Sequence, residues 1–243
     1  MEVKNMNDIL LEEFIYKLFG YGNLNGPIWF IGMEEGGGNS LTEINNRLAA
    51  WDNCGKSEIL DLCKFHQMIG INTYFRDPVK LQITWNKIIR IILSIEGKTN
   101  IHLDEIKKYQ KEKLGRINGD NCLLELMPLP SPNFSAWIYS SISSIPYLSN
   151  RQVFFNKVLD FRINRLYALI KEHKPRFVIF YGITYMAYWK RISGIKQKIK
   201  GVDSISLAKN QNTVFSFIHH PCAHGLRNEY FHTVGALLRH QGI

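Results

Sequence analysis

Four apolar runs of strand length, each stopping abruptly in a turn, constrain this 243-residue chain more than any other feature. They are Ile28–Ile31, Cys122–Met127, Phe177–Tyr181 and Val214–Ile218, and helical apolar spacing fills the intervals between them. Strands that are apolar throughout need cover on both faces. The pattern therefore predicts an α/β fold, a three-layer α/β/α sandwich around a central four-stranded parallel sheet. Helices are expected at about Asp8–Phe19 (ended by Gly20), Leu41–Trp51, Ser57–Met68, Leu81–Ile95, Arg151–His173, Thr184–Ile192 and Asn228–His240, with a charged helical face at Lys107–Lys113. Lys196–Asn210 reads either as a partner-facing insertion or as a short strand pair. No repeat or low-complexity linker divides the chain, so residues 1–243 are expected to form a single domain.

Composition narrows the class of partner. No apolar stretch approaches the roughly 18 residues that cross a bilayer; Ile88–Ile95 is the longest candidate and contains Arg90. Residues Met1–Asn7 are polar, so neither a membrane nor export is expected, and the cytoplasm is the expected location. Cys54, Cys63, Cys122 and Cys222 are too scattered for a disulfide framework or structural zinc. A net charge of +9 favours a polyanionic partner, because Lys and Arg release counterions condensed on nucleic acid. A lysine-rich surface without such a partner has the same composition.

The chemistry sits where the runs end. In an open α/β sheet the ligand crevice lies outside the carboxyl ends of the strands. Gly32-Met33-Glu34-Glu35-Gly36-Gly37-Gly38-Asn39-Ser40 follows the first run directly. Its glycines allow close backbone approach and a nest of N–H groups for an anion. It is neither a Walker loop nor a dinucleotide fingerprint, and a Glu there suits activating water or stabilising a developing cation. The last run ends in His219-His220-Pro221-Cys222-Ala223-His224-Gly225. Adjacent His219 and His220 point to opposite sides of an extended chain, so a shared metal ion is not expected. One His is expected under the sheet and one in the crevice, placed to donate to a developing anion.

In chain order these pieces resemble the uracil-DNA glycosylase superfamily over residues 27 to 225. Gly32-Met33-Glu34-Glu35-Gly36 is similar to its water-activating loop, and His220-Pro221-Cys222-Ala223 to its minor-groove His motif. Leu123-Leu124-Glu125-Leu126-Met127-Pro128-Leu129 resembles the strand that recognises the flipped base, and Phe177–Gly182 the remaining central strand. The resemblance implies a DNA glycosylase that hydrolyses the N-glycosidic bond of a flipped-out base and leaves an abasic site. Glu34, rather than Glu35, aligns with the catalytic position, and His220 would stabilise the leaving base.

Glu125 stands where uracil-directed members carry Asn. A carboxylate offers only acceptors, which suits the amino group of cytosine, so a modified cytosine is the expected substrate, as in branches that attack phage DNA as a defence. Met33 would join the base pocket, and Tyr74 or Phe75 would stack on the base. Gly36, Gly37, Asn39, Ser40 and Ser131 would meet the DNA backbone, with Asn39 and Ser40 also placed to cap the next helix. Leu226 or His224 would wedge into the vacated stack, and Arg227 would meet a phosphate. No cofactor or metal is implied: the close cysteine pairs of the iron–sulfur branches are missing from the sequence. The implied partner is duplex or locally opened DNA, bound by a monomer. Two other readings remain open: a non-catalytic nucleic-acid-binding module of the same fold, and a hydrolase of free nucleosides or nucleotides.

Overall fold

The structure, a computed structural model, describes residues 6–133, 135–196, 200–202 and 204–242. Its strands are β1 (Gly20–Gly22), β2 (Ile28–Gly32), β3 (Ile59–Leu60), β4 (Asn121–Glu125), β5 (Phe177–Tyr181), β6 (Lys200–Val202), β7 (Ile205–Lys209) and β8 (Val214–Ile218). Among the described residues, these eight form one sheet in the order β3-β1-β4-β2-β5-β8-β7-β6. The four strands carrying the apolar runs, β4-β2-β5-β8, are parallel neighbours. All residues of β2, β5 and β8 are buried, so both faces of this part of the sheet are covered.

The expected four-stranded sheet is corrected to a mixed one. On one side β1 joins β4 antiparallel and β3 joins β1 parallel; on the other, β7 and β6 add successive antiparallel strands beyond β8. The Lys196–Asn210 stretch is therefore a strand pair where it is described; residues 197–199 and 203 lie outside the described residues. The added strands escape notice because they lack an apolar run. In β1, Gly20 takes a φ of 152°, and a Cβ there would lie 2.0 Å from the Leu123 carbonyl oxygen. Glycine is what lets β1 press against β4, yet in sequence it reads as a turn.

The helices are α1 (Asp8–Lys17), α2 (Leu41–Asn53), α3 (Leu62–Met68), α4 (Ile83–Ile95), α5 (Leu103–Glu112), α6 (Tyr139–Ile142), α7 (Arg151–His173), α8 (Met186–Ser193) and α9 (Asn228–Gly242). The helix expected over Ser57–Met68 starts late, because the Asp61 side chain accepts the Lys64 N–H and caps α3, leaving Ile59–Leu60 free to pair as β3. The chain runs from β2 to β4 on one side and then to β5 on the other. That reversal opens a crevice at the carboxyl end of β2.

One buried cation fixes the strand end beside this crevice. Arg162 of α7 is fully buried. Its Nε donates to Leu126 O (2.9 Å), Nη2 to Glu125 O (2.8 Å), and Nη1 to Leu18 O (2.6 Å) and Ile15 O (3.2 Å). The guanidinium also lies 3.5 Å from the Phe19 ring centroid. Burial pulls its pKa down to about 9, and the carbonyl dipoles offset the loss of water. This clamp ties the end of β4 to α1.

Candidate active site

The turn after β2 is a braced structure. Ser40 caps α2 by accepting the Glu43 N–H, and Glu43 turns back to accept from the amides of Gly38 and Asn39, each at 2.9 Å. The Asn39 side chain also donates to Glu43, so Asn39 and Ser40 are engaged in capping. The N–H nest expected for an external anion is therefore partly filled by the chain's own carboxylate. Arg47, only 7% exposed, pairs with Glu35 at 2.8 Å and with Glu43 at 3.4 Å, and reaches the Gly36 carbonyl. Glu35 thus serves as a strut of the loop.

Glu34 faces the other way. Arg151 holds it with three contacts of 2.9, 2.9 and 3.1 Å. A cation in the first turn of α7 opposes the helix dipole, and the fork to Glu34 together with the Trp137 ring 5.4 Å away supplies the compensation. Burial raises the Glu34 carboxyl above its ordinary value of 4.5, and Arg151 counteracts this. The result is a partly desolvated carboxylate at the head of the crevice, with its charge balanced.

Glu125 ends β4 opposite Gly32, in register across the sheet. Tyr181, at the end of β5, donates to Glu125 Oε1 at 2.8 Å. The phenol lies over Gly32, where a Cβ would sit 2.2 Å from the ring, so glycine is required for this bond. Burial, followed by the nearby Glu35 charge, pushes the Glu125 carboxyl up to about 8. Burial thus favours the acid form, in which the carboxyl offers an O–H donor beside its acceptor oxygen, whereas the ionised form expected from sequence offers acceptors only.

His220 follows β8. Its Nδ1 accepts the Cys222 N–H at 3.1 Å, so the proton of the neutral ring is assigned to Nε2. The ring meets Tyr181 edge-on at 5.6 Å. Although the residue is exposed on its outer side, its inner surroundings lower the imidazole pKa below 6.5 through desolvation. His219 turns away toward Tyr230, as alternation along an extended chain requires. Among the described residues, no group of three His, Cys, Asp or Glu is arranged to hold a metal ion.

A pH prediction follows from His220. Its folded pKa lies below the unfolded 6.5, so its neutral-state contribution to stability is intact above pH 6.5 and declines on acidification below it. Denaturation midpoints between pH 7.5 and 5 should show this decline in the wild type, and the slope should shrink in His220→Asn. An identical slope in both would count against the assigned bond.

These groups line one cavity of about 570 Å³. Met33, Glu34, Gly36, Gly37, Tyr74, Glu125, Ser131 and His220 all reach it from the expected set. Phe75 does not. It is buried against His66 and Trp85 and belongs to the core, a correction that follows from its apolar neighbours. Ser131 Oγ lies 2.8 and 2.9 Å from the Asn133 and Ala136 carbonyls, so its hydroxyl serves its own loop. His224, Leu226 and Arg227 follow His220 on the β8–α9 loop outside the cavity lining, with His224 and Arg227 exposed and Leu226 half-buried.

The sequence reading missed Tyr21, Arg47, His66, Trp85, Tyr181 and Tyr185. His66 donates through Nδ1 to the Leu62 carbonyl, leaving Nε2 as an acceptor. Tyr181 and Tyr185 flank Gly182, the turn that ends β5, and that placement was the available signal. Tyr21 gave none, because it lies on a three-residue strand between glycines; Arg47 lies four residues after Glu43 on α2, a spacing that reads equally as an exposed helix pair.

No protein-family model matches this chain, and no curated protein matches it.

Proposed function

We propose that this protein is a DNA glycosylase that hydrolyses the N-glycosidic bond of a base flipped into the 570 Å³ cavity. One observation carries the reading: Glu34, Glu125 and His220, from the ends of three strands of the parallel set, line the same hollow. The ordered resemblance of those segments to the uracil-DNA glycosylase superfamily supports it. In the proposed reaction a water oxygen bonds to C1′ as the bond from C1′ to the base nitrogen breaks. The bonding pair leaves with the base, and the water proton passes toward Glu34 or solvent. Glu34 orients the water and opposes the positive charge of the oxocarbenium-like sugar. The Nε2–H of neutral His220 donates to the anionic base.

Arg151 offsets Glu34, and Arg47 faces both Glu35 and Glu43, so the hollow itself is not basic; the attraction for a polyanion comes from the chain's net charge of +9. Ligand cavities generally span about 300–1,000 Å³, so a single-ring base leaves space here for a substituent. A modified pyrimidine, with a cytosine type tested first, is the proposed substrate. Tyr74, set against Trp85 at 5.2 Å, is the proposed stacking wall.

The test is incubation with duplexes carrying uracil, cytosine, hydroxymethylated cytosine or glucosylated cytosine, followed by alkali to reveal abasic sites. Strand breaks with at least one duplex, absent with Glu34→Ala, are expected. No breaks with any of them would reject catalysis on these bases. The arginine fork on Glu34 favours one second reading, a module that binds DNA without cleaving it. Tight duplex binding with no breaks would select that reading.

A further inference from the structure

The cavity has two kinds of wall. Glu34, Glu125 and His220 reach it from strand ends, whereas Leu62, His66, Tyr74, Trp85 and Ile88 reach it from α3, α4 and the segment between them. The second wall is mainly aromatic and aliphatic, and His66 interrupts it. The His66 side chain is buried, with the rings of Trp85, Phe75 and Tyr21 around it at 5.3, 5.7 and 5.9 Å. Its Nδ1 donates to the Leu62 carbonyl at 2.8 Å, so Nε2 of the neutral ring carries a lone pair. Nε2 has no hydrogen-bond partner among the described residues, yet it is not sealed off as Glu125 Oε2 is. Burial holds the imidazole pKa below 6.5, which keeps the ring neutral at pH 7.5.

We propose that His66 is a specificity-determining residue of this cavity, its Nε2 accepting a hydrogen bond from an O–H or N–H group on a substituent of the bound pyrimidine. This rests on the glycosylase reading for the identity of the ligand. A buried acceptor left unpaired costs stability, and the donor that the chain does not supply is one a ligand can bring. The placement of the wall fits a substituent. β1, which carries Tyr21 beside His66, lies two strands from β2, about 10 Å away. Glu34, after β2, turns toward Arg151 of α7. A pyrimidine with its glycosidic bond at Glu34 therefore directs its remote ring positions toward the α3–α4 wall. A methyl group there would fill space and leave Nε2 unpaired. A hydroxymethyl group would fill the same space and donate to it, so discrimination follows the donor rather than the size.

The experiment is an NMR titration of the intact protein at pH 7.5 with two free bases, cytosine bearing a methyl group and cytosine bearing a hydroxymethyl group on the same ring carbon. The imidazole nitrogen resonances of His66 report its tautomer directly. The proton is expected on Nδ1, and the Nε2 resonance should move with the hydroxymethyl base alone. That base should bind about tenfold more tightly or better, and His66→Phe should bring the two bases within about threefold of each other. Phenylalanine keeps a ring but loses the bond to the Leu62 carbonyl; because the Nε2 signal is read in the wild type, a variant that fails to fold leaves the test standing. A proton on Nε2, no binding of the hydroxymethyl base, equal binding of both bases, an unmoved resonance, or a preference that survives His66→Phe would overturn the proposal. Strand breaks judge the glycosylase reading separately. Breaks without the preference would reject the role of His66 alone, and the preference without breaks would support His66 while rejecting excision.

Discussion

Replacing Glu34 by Gln is expected to cut base excision by about a thousandfold while leaving affinity for the duplex within about threefold. The amide keeps the size and most of the contacts of the carboxylate but cannot oppose a sugar cation, and it is a poor acceptor for the water proton. Because the loss falls on the chemical step, single-turnover rates and filter-binding affinities should separate. A Glu34→Gln variant that excises at the wild-type rate would remove Glu34 from the mechanism. Arg151 supplies an internal control. It is the influence that lowers the Glu34 pKa, so Arg151→Met should raise that pKa further. Activity needs the carboxylate and is lost as pH falls through its pKa, so the acid limb of the rate profile should move to higher pH. An unmoved limb would mean that the fork holds Glu34 in place without tuning it.

Arg162→Met is expected to cost about 3–5 kcal/mol of folding stability, read from urea denaturation. Methionine can fill much of the volume but leaves the carbonyls of Ile15, Leu18, Glu125 and Leu126 without their shared donor. Arg162→Lys should be nearly as harmful, because an ammonium cannot reproduce the planar fork that spans two chain segments. A loss below about 1 kcal/mol for either variant would show that water or a shifted side chain can take over the clamp.

How much of this was legible in the sequence differs by element. The bounds of α7, β5 and β8 agree with the apolar pattern residue for residue, because each carries a run whose periodicity only one element type satisfies. β1 and β3 did not, since a strand of three residues with glycine at both ends, or of two residues, has no period to detect. Glu34, Glu125 and His220 stood out because each polar group abruptly ends an apolar run. Their environment could not be read in the same way. Arg151 is 117 residues from Glu34, and Tyr181 is 56 from Glu125. Only the folded sheet brings these pairs together, and they decide which carboxyl is charged. Phe75 erred in the opposite direction: an aromatic at a plausible distance from the motif became core.

The outer strands have a consequence for how the molecule meets its own copies. Open sheets end in rows of unpaired amides and carbonyls that can template aggregation. Among the described residues the row at one end is β3, two residues long, and at the other β6, three residues long. A further strand laid along β3 would gain too few backbone hydrogen bonds to hold it. The long apolar strands that supply the crevice are kept in the middle of the sheet, away from those edges.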